Sequence, residues 1–283
     1  MAALNIERPE PGVYAGVSFE EYTKIRAVNH STLRAAAASM AHFRAAELEG
    51  SGGDTTATRF GTAVHTLMLE PSRFARSVVP APINPKTNKA YGGDTKAWEE
   101  YAAQHPGKLI MSDEDLERAK KMVTSVQNHA QAGKLLHAEK GMSEAVMIWK
   151  EGPLLCKGRV DKITPEYRVD LKTTSGLAKW DVWRKSVVDY GYFTQEAMYA
   201  RGAKALGLPP YGVFVVVESE SPHATATFSI HQDWVAAGDK MVVEWLNKVV
   251  QARTTDQYPA YPDQDIEVLP PPQWFISMYM DGQ

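Results

Sequence analysis

Two periodicities divide the chain. Up to about residue 130 the apolar positions recur at intervals of three and four, which gathers them on one side of a helix. From residue 143 they first alternate, as along a strand. In the first part, Asn29-His30-Ser31 predicts a cap for an alanine-rich helix over 32–46. The small residues of 50–56 read as a flexible loop. Over 58–70, Phe60, Ala63, Val64, Leu67 and Met68 form an apolar stripe, and Pro71 is expected to stop that helix. The stretch 80–95 reads as a long loop with Lys86, Lys89 and a Gly-Gly pair, a common setting for a lid or binding loop. Ser112 with Asp115 resembles a capping box ahead of a helix on which Leu116, Ala119, Met122, Val123, Val126 and Ala130 keep period.

In the second part, 143–149, 154–163 and 168–173 predict three strands, the last two joined by a turn at Pro165. A helix is predicted over 192–206, ending before Gly207 and Pro209-Pro210. The run YGVFVVVE over 211–218 predicts a buried strand and 224–230 an alternating one. Asp233 is expected to cap a last amphipathic helix reaching about residue 252. This order predicts an α/β fold: a mixed central sheet flanked by helices, with an N-terminal helical layer. A single domain is expected, mainly helical over 1–142, with its core at 143–252 and a proline-rich tail at 253–283.

Composition narrows the class. At 283 residues, 44% hydrophobic, the chain can bury a large core. No run is long enough to span a membrane and the N-terminus lacks a secretory pattern, so a soluble, cytoplasmic protein is expected. The single cysteine, Cys156, excludes an intrachain disulfide, a four-cysteine zinc site and an iron–sulfur cluster held by one chain. The net charge of −3 is mildly unfavourable for a nucleic-acid binder, but local fields decide binding, and acidic residues that hold metal lower the total.

The chemistry concentrates at Asp161 and Asp170-Leu171-Lys172. Asp170 and Lys172 share a strand face. If 164–167 is a four-residue hairpin loop, Asp161 lies opposite Asp170, and two carboxylates meet beside a lysine. Such a pair needs compensation, and a divalent cation such as Mg²⁺ or Mn²⁺ suits hard oxygen ligands. A solvated hairpin with ordinary surface charges is the alternative. Lys157 and Arg159 fall on the Asp161 face and are expected to contact phosphates. His65 lies on the polar side of its helix, one turn after Gly61, where a ligand or another backbone can approach closely. Glu144, placed on the face of Val146 and Ile148, completes a carboxylate cluster or is a strand-end charge. Gln195 and Tyr199, four apart, share a helix face.

These residues, in the order Gly61-Thr62-Ala63-Val64-His65, Ser143-Glu144, Gly158-Arg159-Val160-Asp161-Lys162-Ile163, Val169-Asp170-Leu171-Lys172-Thr173-Thr174 and Gln195 with Tyr199, resemble the PD-(D/E)XK nuclease superfamily. More narrowly they resemble the nuclease domain of RecE-type exonuclease VIII, a phage recombination exonuclease. The segment Asn29-His30-Ser31-Thr32-Leu33 and the close Pro271-Pro272-Gln273-Trp274 extend the resemblance over nearly the whole chain. Val160 stands where the superfamily name expects proline, which is not a ligand. The resemblance implies a two-metal, Mg²⁺-dependent enzyme, with His65, Asp161, Asp170 and the Leu171 carbonyl as ligands. It makes Lys172 the group that orients or helps deprotonate water and stabilises developing charge; positive charge of nearby metals is expected to lower its pKa. Glu144 would support the second metal, and Gln195 and Tyr199 would line the centre near the DNA end. It further implies 5′→3′ degradation of duplex ends to leave 3′ single strands, a ring-shaped homo-oligomer, and a RecT-type annealing partner. Lys86, Lys89 and Lys96 are candidate DNA contacts. A structure-selective endonuclease, a non-catalytic DNA-end binder and a metal hydrolase of small substrates are the alternatives.

Overall fold

The alternating stretches pair into one sheet because nearly every inward position along them is apolar. The computed structural model describes residues 4–50, 55–261, 266 and 268–279. The helical part contains β1 (Gly12–Tyr14), α1 (Phe19–Lys24), α2 (His30–Arg34), a 3-10 turn (Ala35–Ala37), α3 (Met40–Glu49), α4 (Thr56–Leu69) and α5 (Pro71–Ser77). It continues through β2 (Val78–Pro80), β3 (Ile83–Asn84), β4 (Lys89–Ala90), α6 (Lys96–Gln104), β5 (Leu109–Met111), α7 (Asp113–Asn128) and α8 (Ala130–Leu136). Then come β6 (Met142–Glu151), β7 (Leu154–Ile163), β8 (Tyr167–Thr174), α9 (Trp180–Asp189), α10 (Tyr192–Leu206), β9 (Tyr211–Glu218), β10 (Thr225–Ser229), α11 (Gln232–Thr255) and α12 (Gln273–Tyr279).

The main sheet has six strands in the order β1-β6-β7-β8-β9-β10. All neighbours are antiparallel except β8 and β9, which run parallel over the whole of β8. The fold is thus the mixed α/β sheet flanked by helices that the pattern predicts. On one face Ala145, Met147, Trp149, Cys156 and Val160 pack against α2, α3, α10 and α11. On the other, Val169, Leu171, Val215 and Val217 pack against α4, α7 and α8. The continuous apolar run of β9 follows from this, since Phe214 and Val216 are buried on the opposite face beneath α9. Each fully buried side chain such as Leu33, Phe43 or Leu171 contributes roughly 1.5–3 kcal/mol relative to exposure.

Several expectations are corrected. The helix predicted over 32–46 is two helices with a 3-10 turn between, because the Ser39 hydroxyl caps a new start by accepting from the His42 N–H. Pro71 opens α5, at a first-turn position where its missing N–H is no loss. The stretch 80–95 is not structureless: Ile83 and Ala90 pair in the β3–β4 hairpin. Ser112 caps α7, but the Asp115 carboxylate receives the Ser112 hydroxyl and Arg118 instead of closing a capping box. The cap of α11 is His231, which accepts from the Asp233 N–H. The short β1, β2 and β5 and helices α6, α8 and α9 were not predicted. Most of the 50–56 loop, at 51–54, and part of the tail lie outside the described residues. Among the described residues no helix is long and apolar enough to cross a membrane.

Candidate metal centre at the fork of two strands

The site forms where β7 and β8 part. Their ladder pairs Lys162 with Val169 and Ile163 with Arg168, and goes no further. Continuing that register sets Asp161 opposite Asp170, as the hairpin count predicts. There β8 is already committed to β9, and the Asp161 carboxylate takes over the role of the missing strand. Its Oδ2 accepts the Leu171 N–H at 2.6 Å. Without this acceptor a buried backbone N–H would go unpaired. Val160 and Ile163, three apart, both reach the same core cluster, so strict alternation breaks around Asp161.

The neighbouring strand is distorted at the same level. Ser143 and Ala145 pair with Lys162 and Val160, while Glu144 between them has φ of 51°. The left-handed region disfavours a side chain by on the order of 1–2 kcal/mol, so surrounding contacts must hold it there. The Glu144 Oε2 receives the Arg159 Nε at 2.5 Å. This corrects the expectation that Glu144 shares the face of Val146 and Ile148. Those two pack into the β1 cluster, and the left-handed residue re-aims the carboxylate.

Helices bring the remaining groups. α4 buries Ala63, Val64 and Met68 against α7, which leaves His65 toward the fork, its Nδ1 3.5 Å from Asp161 Oδ2. Gly61 faces Thr173 of β8, whose hydroxyl would lie 3.4 Å from an added Cβ; the close neighbour there is a strand. From α10, Gln195 bridges the other pair: its Oε1 accepts from Lys172 at 3.2 Å and its Nε2 donates to Asp170 Oδ1 at 3.3 Å. Tyr199 donates to the Arg159 carbonyl at 3.1 Å and packs on Gly158, where an added Cβ would lie 2.8 Å from the ring. Lys172 lies against Asp170 Oδ2, a buried oxygen with no well-aligned hydrogen bond.

Titration follows from this crowding. Burial pushes the Asp170 carboxyl up, and Lys172 only partly offsets it. Burial also works on Asp161, but His65, Lys172 and the Leu171 N–H outweigh it and hold that carboxyl below its usual range. Burial and the Asp161 charge raise Glu144 to about 7. Lys172 is held above its ordinary value: burial lowers it, but Asp170, Tyr192 and Asp161 prevail. In the metal-free protein the lysine itself balances the carboxylates, whereas the lowered pKa expected of it concerns the metal-bound state.

The structure gathers His65, Glu144, Arg159, Asp161, Asp170, Leu171, Lys172, Gln195 and Tyr199 around the fork. It does not bring the other basic candidates there. Lys157 is buried, donating to the Tyr22 and Ile25 carbonyls at 2.7 and 2.8 Å, and so ties down the end of α1 instead of meeting phosphate. Arg159 is also engaged, by Glu144 and by Glu70 at 3.7 Å. Lys86 and Lys89 stand exposed on the β3–β4 hairpin, and Lys96 lies 3.7 Å from Glu100. Sequence reasoning missed Arg168 and Glu196, a buried pair beneath the site on β8 and α10. Period-2 spacing from Asp170 was the available signal for Arg168.

A scan against family models matches residues 29–267 to a PDDEXK-like domain of unknown function, DUF3799. The chain belongs to that family. None of the curated proteins compared with it matches. A crystal structure of a candidate exonuclease from Eubacterium rectale superposes with a TM-score of 0.61 at 13% identity, covering 94% of this chain and 97% of the other. It shares the fold. A second structure, SSO0001, reaches only TM-score 0.27 at 12% identity over 47% of this chain and 68% of its own, and carries no argument. PDDEXK-like nucleases generally use divalent metals. The residues at the fork of this PDDEXK-like chain fit such an ion in kind: carboxylate oxygens, one imidazole, and the unsatisfied buried oxygen of Asp170. Among the described residues no three His, Cys, Asp or Glu side chains already close around one point.

Proposed function

We propose that this chain is a metal-dependent DNA nuclease that digests duplex ends 5′→3′ and leaves 3′ single strands for recombination. The observation that carries the nuclease reading is the fork, which sets Asp161, Asp170 and Lys172 together with Gln195 bridging the last two. The likeness to the Eubacterium rectale protein, described as a candidate exonuclease, and the resemblance to RecE-type enzymes favour action from ends. Mg²⁺, with Mn²⁺ as a substitute, is the proposed ion, held by Asp161, Asp170, His65 and the Leu171 carbonyl. Bound there, it supplies Lewis acidity and a nucleophilic water at neutral pH. Lys172, fixed by Gln195, faces the attacking water and the charge developing on phosphorus. As the water oxygen bonds to phosphorus and gives up a proton, the P–O3′ bond breaks and the 3′ oxygen takes up a proton. Glu144, raised to about 7, can hold or release a proton near neutrality. A ring-shaped homo-oligomer, a RecT-type annealing partner and a cytoplasmic site of action complete the proposal.

Linear duplex labelled at either end, beside closed circular duplex, tests it with Mg²⁺ and Asp170→Ala as control. Release from the 5′ label, sparing of circles and no activity in the variant are expected. Loss of circles would replace the exonuclease with an endonuclease. Tight end binding without any cleavage would replace it with a non-catalytic binder.

A further inference from the structure

Beside Lys172 opens a cleft of about 410 Å³, lined by Tyr22, His30, Arg34, Tyr190, Tyr192 and Tyr199 among others. Its size falls within the usual range for small-molecule sites. The aromatic content is organised, not scattered. Phe228 stacks on Trp183 with ring centroids 5.1 Å apart, Trp183 on Tyr192 at 5.8 Å, and Tyr192 on Tyr190 at 5.6 Å. The interplanar angles are 12°, 22° and 29°. The column starts in the core, where Trp183 is buried, and ends on Tyr190, which is 60% exposed. A ring so exposed at the end of an ordered stack loses apolar burial unless something covers it.

Two cations flank the column. Lys172 Nζ lies 4.6 Å from the centre of the Tyr192 ring. Arg34 donates to the Asp189 carbonyl at 2.6 Å, which fixes it at the mouth, and no carboxylate pairs with it among the described residues. The occupant must therefore be flat and aromatic, must carry negative charge, and must reach the reacting groups at Lys172.

We infer that this cleft takes one unpaired nucleobase of the strand being cut, stacked on Tyr190, with its phosphates beside Arg34. The inference rests on the nuclease reading for its substrate class and adds a base-binding subsite to it. A paired base is sandwiched in its duplex and cannot reach the column, so the nucleotide next to the cut must separate from its partner. The site is sequence-tolerant, because every base offers a π-face.

Binding tests this without cleavage. A six-nucleotide single strand, in normal and fully abasic forms, is titrated into the metal-free protein, Tyr190→Ala and Tyr190→Phe. The normal form is expected to bind the unmodified protein about tenfold more tightly than the abasic form, a difference lost in Tyr190→Ala and kept in Tyr190→Phe. Equal affinity for the two forms, or a difference untouched in Tyr190→Ala, overturns the inference. Cleavage of linear duplex with Mg²⁺ is measured in parallel. Cleavage without base discrimination sinks the subsite and leaves the nuclease reading standing. Base-dependent binding without cleavage keeps the subsite and removes the nuclease.

Discussion

Arg168 and Lys172 stand four residues apart on one face of β8, and each has a carboxylate against it. The first pair is closed. Arg168, whose side chain is 2% exposed, reaches Glu196, the Tyr199 carbonyl at 3.3 Å and the Pro210 carbonyl at 3.2 Å. Glu196 lies so near Gly212 that an added Cβ there would come within 2.1 Å of its carboxylate. The second pair is open. Lys172 and Asp170 have side chains 16% and 15% exposed, and Asp170 keeps an oxygen with no well-aligned hydrogen bond.

 

One cation–carboxylate pair is thus surrounded by fixed acceptors, while the other faces an open cleft beside a second carboxylate, Asp161. The same chemistry four residues along a strand serves structure in one case and, on the proposed reading, reaction in the other. What separates them is the neighbours: carbonyls of α10 and the α10–β9 connection close the first, and the fork between β7 and β8 leaves the second accessible.

The largest expected effect breaks the open pair. Lys172→Ala should lower the rate of DNA hydrolysis by at least about 100-fold, the usual scale for losing a positioned proton-transfer or charge-stabilising group. Its thermal unfolding midpoint should stay near that of the unmodified chain. Breaking the closed pair should do the reverse. Arg168→Ala leaves Glu196 buried and unpaired and should cost about 3–5 kcal/mol in denaturant unfolding. Arg168→Met combined with Glu196→Leu should recover most of that loss, because replacing a whole buried pair by apolar residues is often neutral. If the double variant stays as unstable as Arg168→Ala, the pair is more than a structural tie.

Gln195→Ala sharpens the contrast at its boundary, since Gln195 belongs to the helix that closes the first pair but bridges the second. A loss of roughly tenfold in rate, with little change in stability, is expected from removing hydrogen bonds to charged groups. The smallest effect is a pH slope. Burial raises Glu196 from 4.5 to about 7, despite Arg168. Between those values the folded chain keeps a proton that the unfolded chain has released. This contribution to stability is therefore full below about 4.5 and is lost as pH rises through about 7. Glu196→Gln should flatten that slope in unfolding measured across the same range.

Much of this was legible in the sequence. The alternation of 143–149 and 154–163, the apolar run of β9 and the amphipathic α7 and α11 placed the sheet and both helical layers, because each element's period matches the face it buries. Counting across the hairpin placed Asp161 opposite Asp170. His65 and Gln195 were named from resemblance or weak spacing, since a helix face does not say which strand it will meet. The left-handed backbone at Glu144 was not legible, because it is set by contacts between strands and not by residue type. The burial of Lys157 was missed for a related reason: its partners are carbonyls at the end of α1, far away in sequence. The aromatic column joins residues from α9, the α9–α10 connection, α10 and β10, and no local pattern reveals it.

The most direct measurement is hydrolysis of linear duplex DNA by the purified chain with Mg²⁺ or Mn²⁺, beside a chelator control and the variants Asp170→Ala and Lys172→Ala, with each variant's unfolding midpoint recorded. Metal-dependent digestion that both substitutions abolish, in variants that remain folded, is the predicted result. Digestion that persists in the chelator, or folded variants as active as the unmodified chain, would contradict the account.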